Sequence, residues 1–162
     1  MKKGPKTFII ILLFSIIFIP KGVFPISIAV TGSWSENIDN FDMQGGAGTD
    51  LISTYESASN ACTIDVTGAA KKDWDVNVSK IDTLWHANFH LYVRRTSDGT
   101  GDPNTTISGG GTYQEITDID QTFFSGTKDR TGIEVQYQLG GISVQVPPNT
   151  YTTTVYYTAI KY

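Results

Sequence analysis

Apolar and polar residues alternate with a period of two through much of the chain. Cys62, Ile64 and Val66 alternate with Thr63, Asp65 and Thr67, and Trp74, Val76 and Val78 with Asp75, Asn77 and Ser79. Phe89, Leu91 and Val93 alternate with His90, Tyr92 and Arg94. Ile133, Val135, Tyr137 and Leu139 alternate with Glu134, Gln136 and Gln138, and Ile142, Val144 and Val146 with Ser143 and Gln145. Successive side chains of an extended chain point to opposite faces, so each run predicts a strand with one buried face. The last run, Tyr151 to Tyr162, is built largely of Thr, Tyr and Val, which favour strands.

Turn-forming stretches separate these runs. Gly68 to Asp73 and Ser97 to Gly111 are rich in Gly, Asp, Lys and Asn. Gly140-Gly141, between two alternating runs, predicts a two-residue hairpin, and Pro147-Pro148-Asn149 ends the strand that follows it. Only Thr112 to Phe124 leaves room for a short helical turn, capped by Asp118 or Thr117. Many short antiparallel strands packed as two sheets make an all-β fold, a β-sandwich over residues 49–162. No internal repeat or second domain is visible.

The segment from Val30 to Gly48 is the least regular. Its apolar residues are Trp34, Ile38, Phe41 and Met43, and Gly45-Gly46-Ala47-Gly48 closes it. Three readings stay open for it: an edge strand, a flexible arm, or a strand given to another subunit.

The start of the chain has a different character. Lys2, Lys3 and Lys6 precede an apolar run from Phe8 to Ile19, which Pro20, Lys21 and Gly22 break. The run falls short of the roughly twenty residues that span a bilayer. A basic start, a short apolar stretch and a breaker predict a secretory signal peptide over residues 1–29. Ser27-Ile28-Ala29 puts small residues at −3 and −1, so cleavage is expected between Ala29 and Val30. An uncleaved N-terminal anchor is the alternative. A prepilin-type site at Lys2-Lys3-Gly4 fits less well, because Pro5 and Lys6 follow the glycine.

Composition sharpens this picture. The chain of 162 residues carries 12 Lys+Arg and 16 Asp+Glu. From Val30 onward 8 basic face 16 acidic residues, a net charge of −8. So acidic a surface has no electrostatic reason to bind nucleic acid or an anionic membrane. With 40% hydrophobic and 12% aromatic residues the chain can build a core. One cysteine, Cys62, rules out an internal disulfide framework, and its inward register predicts a buried small hydrophobe. A secreted, cell-surface location fits the Thr-, Ser-, Asn- and Tyr-rich mature part. Asn77-Val78-Ser79 and Asn104-Thr105-Thr106 are formal N-glycosylation sequons.

Candidate chemistry is sparse, and no enzyme activity or cofactor is expected. His86 and His90 stand four apart, but on a strand that separates them by roughly 13 Å, too far to share one ion. The Asp98-Gly99-Thr100-Gly101-Asp102-Pro103-Asn104 loop is oxygen-rich, so Asp98, Asp102 and Asn104 form a weak calcium candidate. Gly109 stands where an EF-hand places its final acid. Asp39 with Asp42, and Asp118 with Asp120, could be read as paired carboxylates, though such spacings arise readily by chance. Trp34, Trp74 and Trp85 could stack a sugar, but Trp74 lies in the inward register. Tyr92, Tyr156 and His90 lie opposite their strands' apolar sets, as an exposed aromatic row for a glycan or a subunit would.

The C-terminal third, from Ile133 through Val144-Gln145-Val146-Pro147-Pro148-Asn149-Thr150-Tyr151 to Ala159, resembles the closing hairpin of the spore coat protein U and chaperone–usher pilin-like superfamily. Trp74-Asp75-Val76-Asn77-Val78, with the terminal strand, is also similar to the WxL domain of Gram-positive surface proteins. The likeness covers about 35 residues at the end and a few near Trp74. A lone cysteine where pilins carry a pair, and Tyr156-Tyr157-Thr158-Ala159-Ile160 where a Trp-x-Leu would stand, depart from those patterns. The resemblance implies an immunoglobulin-like sandwich in which a neighbour's N-terminal strand completes an open sheet. The expectation is therefore a structural subunit of a surface filament, pilus or coat whose partners are copies of itself or related subunits. Trp34, Ile38 and Phe41 would anchor the donated arm, residues 30–48, and Tyr151, Val155 and Tyr157 would line the acceptor groove. A monomeric carbohydrate-binding or adhesive module is the alternative.

Overall fold

The computed structural model describes residues 25–45 and 48–162. The basic start, the apolar run Phe8–Ile19 and its Pro20–Gly22 break lie outside the described residues, as do Gly46 and Ala47. The strands are β1 (Ser27–Gly32), β2 (Thr54–Glu56), β3 (Cys62–Thr67), β4 (Asp73–Leu84), β5 (His90–Arg95) and β6 (Thr100–Gly101). They continue with β7 (Ile107–Gly109), β8 (Gln114–Glu115), β9 (Gln121–Thr127), β10 (Arg130–Gly140) and β11 (Thr152–Lys161). One sheet runs β1-β3-β10-β5-β8, with β2 and β6 also pairing β10. The other runs β11-β4-β9-β7. All pairings are antiparallel. The two sheets pack face to face as the sandwich that alternation predicts. No helix of the described residues is long and apolar enough to cross a membrane.

The alternating runs place the core. Cys62, Ile64 and Val66 of β3, Trp74, Val76 and Val78 of β4, and Ile133, Val135 and Tyr137 of β10 are all buried. Their polar neighbours point away from it. Each fully buried aliphatic side chain contributes about 1.5–3 kcal/mol. Trp74 sits at the centre, with its ring edge-on to Phe124 at 6.0 Å. Its Nε1–H donates to the Lys128 carbonyl at 2.6 Å. Gly126 lies opposite Trp74 in the β4–β9 ladder. A Cβ on Gly126 would come within 2.5 Å of Trp74 Cη2, so the ring occupies the space a side chain would need.

Two expectations are corrected. Gly140-Gly141 is not a hairpin, and Ile142 to Val146 is not a strand. Gly141 adopts φ +82°, where a Cβ would collide with the Asn88 carbonyl, and the chain leaves the sheet there. The connector that follows is tied to Asp50 instead of to a ladder. The Asp50 carboxylate accepts from Val144 N–H at 2.9 Å and from the Ser143 hydroxyl at 3.1 Å. Pro147 and Pro148 have no N–H to offer a strand partner. Ile142 is still buried, while Val144 is exposed. The second correction concerns Thr112 to Phe124, which holds β8 and the start of β9 and no helical turn. Its backbone is taken by cross-strand partners: Ile116 N–H donates to Leu91 O, and Thr117 O accepts from Lys80 N–H, both at 2.8 Å. Thr117 Oγ1 caps a turn by accepting from Ile119 N–H at 3.2 Å.

The irregular N-terminal segment divides into parts. Val30 to Gly32 belong to β1, together with Ser27 to Ala29. Residues 33–39 form no helix or strand, with Trp34 packed against the core, and a 3-10 helix covers Asn40–Asp42. Asp39 and Asp42 form its capping box: Asp39 Oδ1 accepts from Phe41 N–H and Asp42 Oδ2 from Asp39 N–H, both at 2.8 Å. These two carboxylates shape a turn.

Candidate functional site: a cleft beside a free sheet edge

One flank of the sandwich carries two edge strands, β1 on one sheet and β11 on the other, packed against each other. Between the sheets at this flank lies a cleft of about 670 Å³. Trp34 and Ile38 of the N-terminal arm line it from one side, and Tyr151, Val155 and Tyr157 from the other. Five of the six residues expected to serve assembly therefore meet around one cavity. The sixth, Phe41, lies within the 3-10 helix and stands apart with 87% of its surface exposed.

The cleft also contains residues that the expectation did not name. Tyr137, Leu139 and Cys62 line it, and so do Trp85 and Phe89 from the β4–β5 loop. Tyr137 shares the inward register of β10, so alternation carried that signal. Phe89, just before β5, continues the alternation of Leu91 and Val93, whereas Trp85 lies in the loop and carries no periodic signal. They are fixed locally: Trp85 Nε1–H donates to Phe89 O at 3.1 Å, and Phe89 meets Tyr151 edge-on at 4.9 Å. Within the cleft, the Tyr137 and Tyr157 hydroxyls lie 3.0 Å apart. Burial pushes both phenols up; the Cys62 thiol raises Tyr137 further while the bond to Tyr157 lowers it, and Tyr137 raises Tyr157. Burial also pushes up the Cys62 thiol. The cleft is thus largely aromatic, with Glu36 as the charged residue among its lining.

The geometry of β11 decides what its edge offers. Tyr162 N–H donates to Asp73 O on β4 at 3.1 Å, and the register from Thr153 to Lys161 is unbroken. In an antiparallel strand both backbone groups of a residue point the same way, and the direction alternates. The even-numbered residues Thr154, Tyr156, Thr158 and Ile160 therefore bond β4. Thr153, Val155, Tyr157 and Ala159 turn their N–H and C=O outward, and no strand of the described residues pairs them. No charge and no proline interrupt β11 from Thr152 to Ile160. The edges on the opposite flank, β7 and β8, span only three and two residues.

The remaining candidates have local roles. Asp98 pairs with the Arg95 guanidinium, and its carbonyl accepts from Arg130 at 2.9 Å. Asp102 pairs with Lys128 Nζ at 3.0 Å and accepts from Asn104 N–H at 2.9 Å. The backbone bond from Asn104 and then the Lys128 ammonium hold the Asp102 carboxyl below its usual range. Among the described residues no three His, Cys, Asp or Glu side chains gather where they could hold a metal ion. His90 Nδ1 lies 2.6 Å from Glu115, whereas His86 packs on Phe89 and Tyr151. Asp120 accepts from the Asn77 amide at 2.9 Å, inside β4, while Asn104 stands exposed in its loop. Asp118 borders a shallow hollow with Lys80, His86 and Glu115. Tyr92 and His90 face out from one sheet and Tyr156 from the other, so they form no single row. Comparison of the chain with models of known protein families, with curated proteins and with solved structures finds no match.

Proposed function

We propose that the protein is an exported, non-enzymatic structural subunit of a cell-surface filament or coat, joined to further copies by strand pairing at the β1/β11 flank. The observation that carries this reading is the outward-facing backbone of Thr153, Val155, Tyr157 and Ala159 beside an aromatic cleft. An unpaired edge of this length, uncharged and uninterrupted, invites another strand. The added strand would satisfy these backbone groups and seat apolar side chains in the cleft, the usual division of labour in strand addition. The N-terminal arm of a neighbouring copy has suitable anchors in Trp34 and Ile38. The acidic surface, with no electrostatic reason to bind nucleic acid, fits a partner recognised by backbone pairing and shape.

The test uses the full chain exported from a bacterial host, with Trp34→Asp and Ile38→Asp combined. Size-exclusion chromatography with light scattering and negative-stain microscopy should show polymers for the parent. The variant should give folded monomers, with circular dichroism unchanged. Polymers that persist in a folded variant rule out the arm as the donor. A glycan-binding module is the competing reading, and the separation of Tyr92 from Tyr156 across the two sheets weighs against the platform it needs.

A further inference from the structure

Six aromatic side chains line the cleft between the sheets: Trp34, Trp85, Phe89, Tyr137, Tyr151 and Tyr157. Trp34, Trp85 and Tyr157 pack against the core. Phe89 meets Tyr151 edge-on at 4.9 Å and Trp85 at 5.5 Å, so these rings brace one another. The face of an aromatic ring is the negative side of its quadrupole. The one charged residue of the lining is the exposed Glu36, and no Lys, Arg or His of the described residues lines the cleft. Glu36 Oε2 accepts from the Trp34 indole N–H at 3.3 Å, which places the carboxylate beside a ring. The rings and the single charge of the lining therefore both favour a cation.

The hydrogen-bonding groups decide which kind of cation. A primary ammonium brings three N–H donors that need acceptors. Inside the cleft the Tyr137 and Tyr157 hydroxyls bond each other at 3.0 Å. Burial raises both phenols, so neither ionises to offer a stronger acceptor. Leu91, Leu139 and Val155, which complete the walls, offer no side-chain acceptor. A fully methylated ammonium has no donor to satisfy, and its charge is attracted by ring faces.

We propose that the cleft binds the head group of a quaternary ammonium compound, with its methyl groups against the aromatic rings and its charge toward Glu36. The inference goes beyond the assembly reading and does not rest on it. The cleft volume of about 670 Å³ falls within the range of small-ligand sites, about 300–1,000 Å³, and leaves room for an alkyl substituent beside the head group. Lys80 Nζ lies 5.3 Å from the Trp85 ring centroid, but Lys80 borders the shallow hollow outside the cleft and is paired with Asp82 at 2.5 Å.

The test titrates the exported full chain and its Ala159→Pro variant with choline and with tetramethylammonium, read by calorimetry and tryptophan fluorescence. Ala159 does not line the cleft, and the substitution keeps a neighbour's strand off the β11 edge. Both cations should bind saturably. The uncharged isostere of choline, 3,3-dimethyl-1-butanol, should bind about tenfold more weakly or worse. Glu36→Gln, which keeps an acceptor for the Trp34 indole, should weaken choline about threefold at low salt and less at high salt. Trp85→Leu should weaken it about tenfold. Equal binding of the uncharged isostere, a comparison that needs no variant, overturns the proposal. No saturable binding by either protein also overturns it, as does binding that neither Glu36→Gln nor Trp85→Leu weakens. Phosphatidylcholine vesicles separate the sources of the head group. Capture of the protein that free choline reverses assigns the ammonium to a lipid, and binding of choline without capture assigns it to a dissolved compound.

Discussion

The alternation of backbone direction along β11 can be tested with two neighbouring proline substitutions. Ala159 turns its N–H away from β4, so Ala159→Pro removes no ladder bond. Its cost is the restriction of φ at an edge position, where proline is tolerated, and amounts to about 1 kcal/mol or less. Thr158 is paired with Asn77 through the inward-facing groups. Thr158→Pro removes that bond and leaves the Asn77 carbonyl without its partner, for about 2–4 kcal/mol in total. The expected gap between the two variants is about 2 kcal/mol, or roughly 6–10 °C in Tm for a domain of this size. Thermal and urea unfolding followed by circular dichroism measure it. Assembly should separate from stability: Ala159→Pro, although folded, should lose polymer because it removes one outward donor and places a ring on the edge. Equal destabilisation by the two prolines, or a milder Thr158→Pro, would refute the assigned direction. Undiminished polymer from folded Ala159→Pro would refute the use of this edge.

Two further outcomes follow from packing and charge. Gly126→Ala should cost about 1–3 kcal/mol, because its methyl meets the Trp74 ring, which its bond to Lys128 O holds in place. Combining it with Trp74→Phe should be less than additive in a double-mutant cycle; strict additivity would mean that the ring moves aside freely. Asp50 should make the connector acid-sensitive, since the bonds from Val144 N–H and Leu51 N–H hold its carboxyl below the usual range. A lowered folded-state value stabilises above the ordinary carboxylate pKa and loses that stability as pH falls through the lowered one. Unfolding midpoints should therefore fall as pH drops from about 5 to 2, and Asp50→Asn should flatten part of the fall. Asp102 contributes with the same sign, so the flattening should be incomplete.

Local periodicity exposed the parts of the fold in which one strand face meets the core. Cys62 to Val66, Trp74 to Val78 and Ile133 to Tyr137 could be read directly, because burial of every second side chain leaves a period-two trace. Ile142 to Val146 carries the same trace without the strand. There a left-handed glycine, two prolines and the Asp50 carboxylate outweigh the pattern, and one of those partners lies some ninety residues away. Thr112 to Phe124 was obscure for a related reason, as strands of two residues are too short to show a period. For the cleft, the arm residues and β11 could be named from the sequence, but the edge status of β11 could not. Edge status depends on strand order, which places β4 on one side of β11 and no paired strand of the described residues on the other. Trp85 reads only as a sugar-stacking candidate and Phe89 only as part of a strand run; their place beside the cleft is not legible, because it depends on how the β4–β5 loop folds back on Tyr151.

The wiring of β10 has a kinetic consequence. Four segments spread from Thr54 to Gly101 pair with its two sides, yet β10 is made only after residue 130. The first sheet therefore has no centre until most of the chain exists, and β4 waits still longer for β11. Chains whose pairings are this distant in sequence close slowly, on the scale of about milliseconds to seconds. A polypeptide that cannot commit to its fold before its last third has emerged stays unfolded through most of its own synthesis.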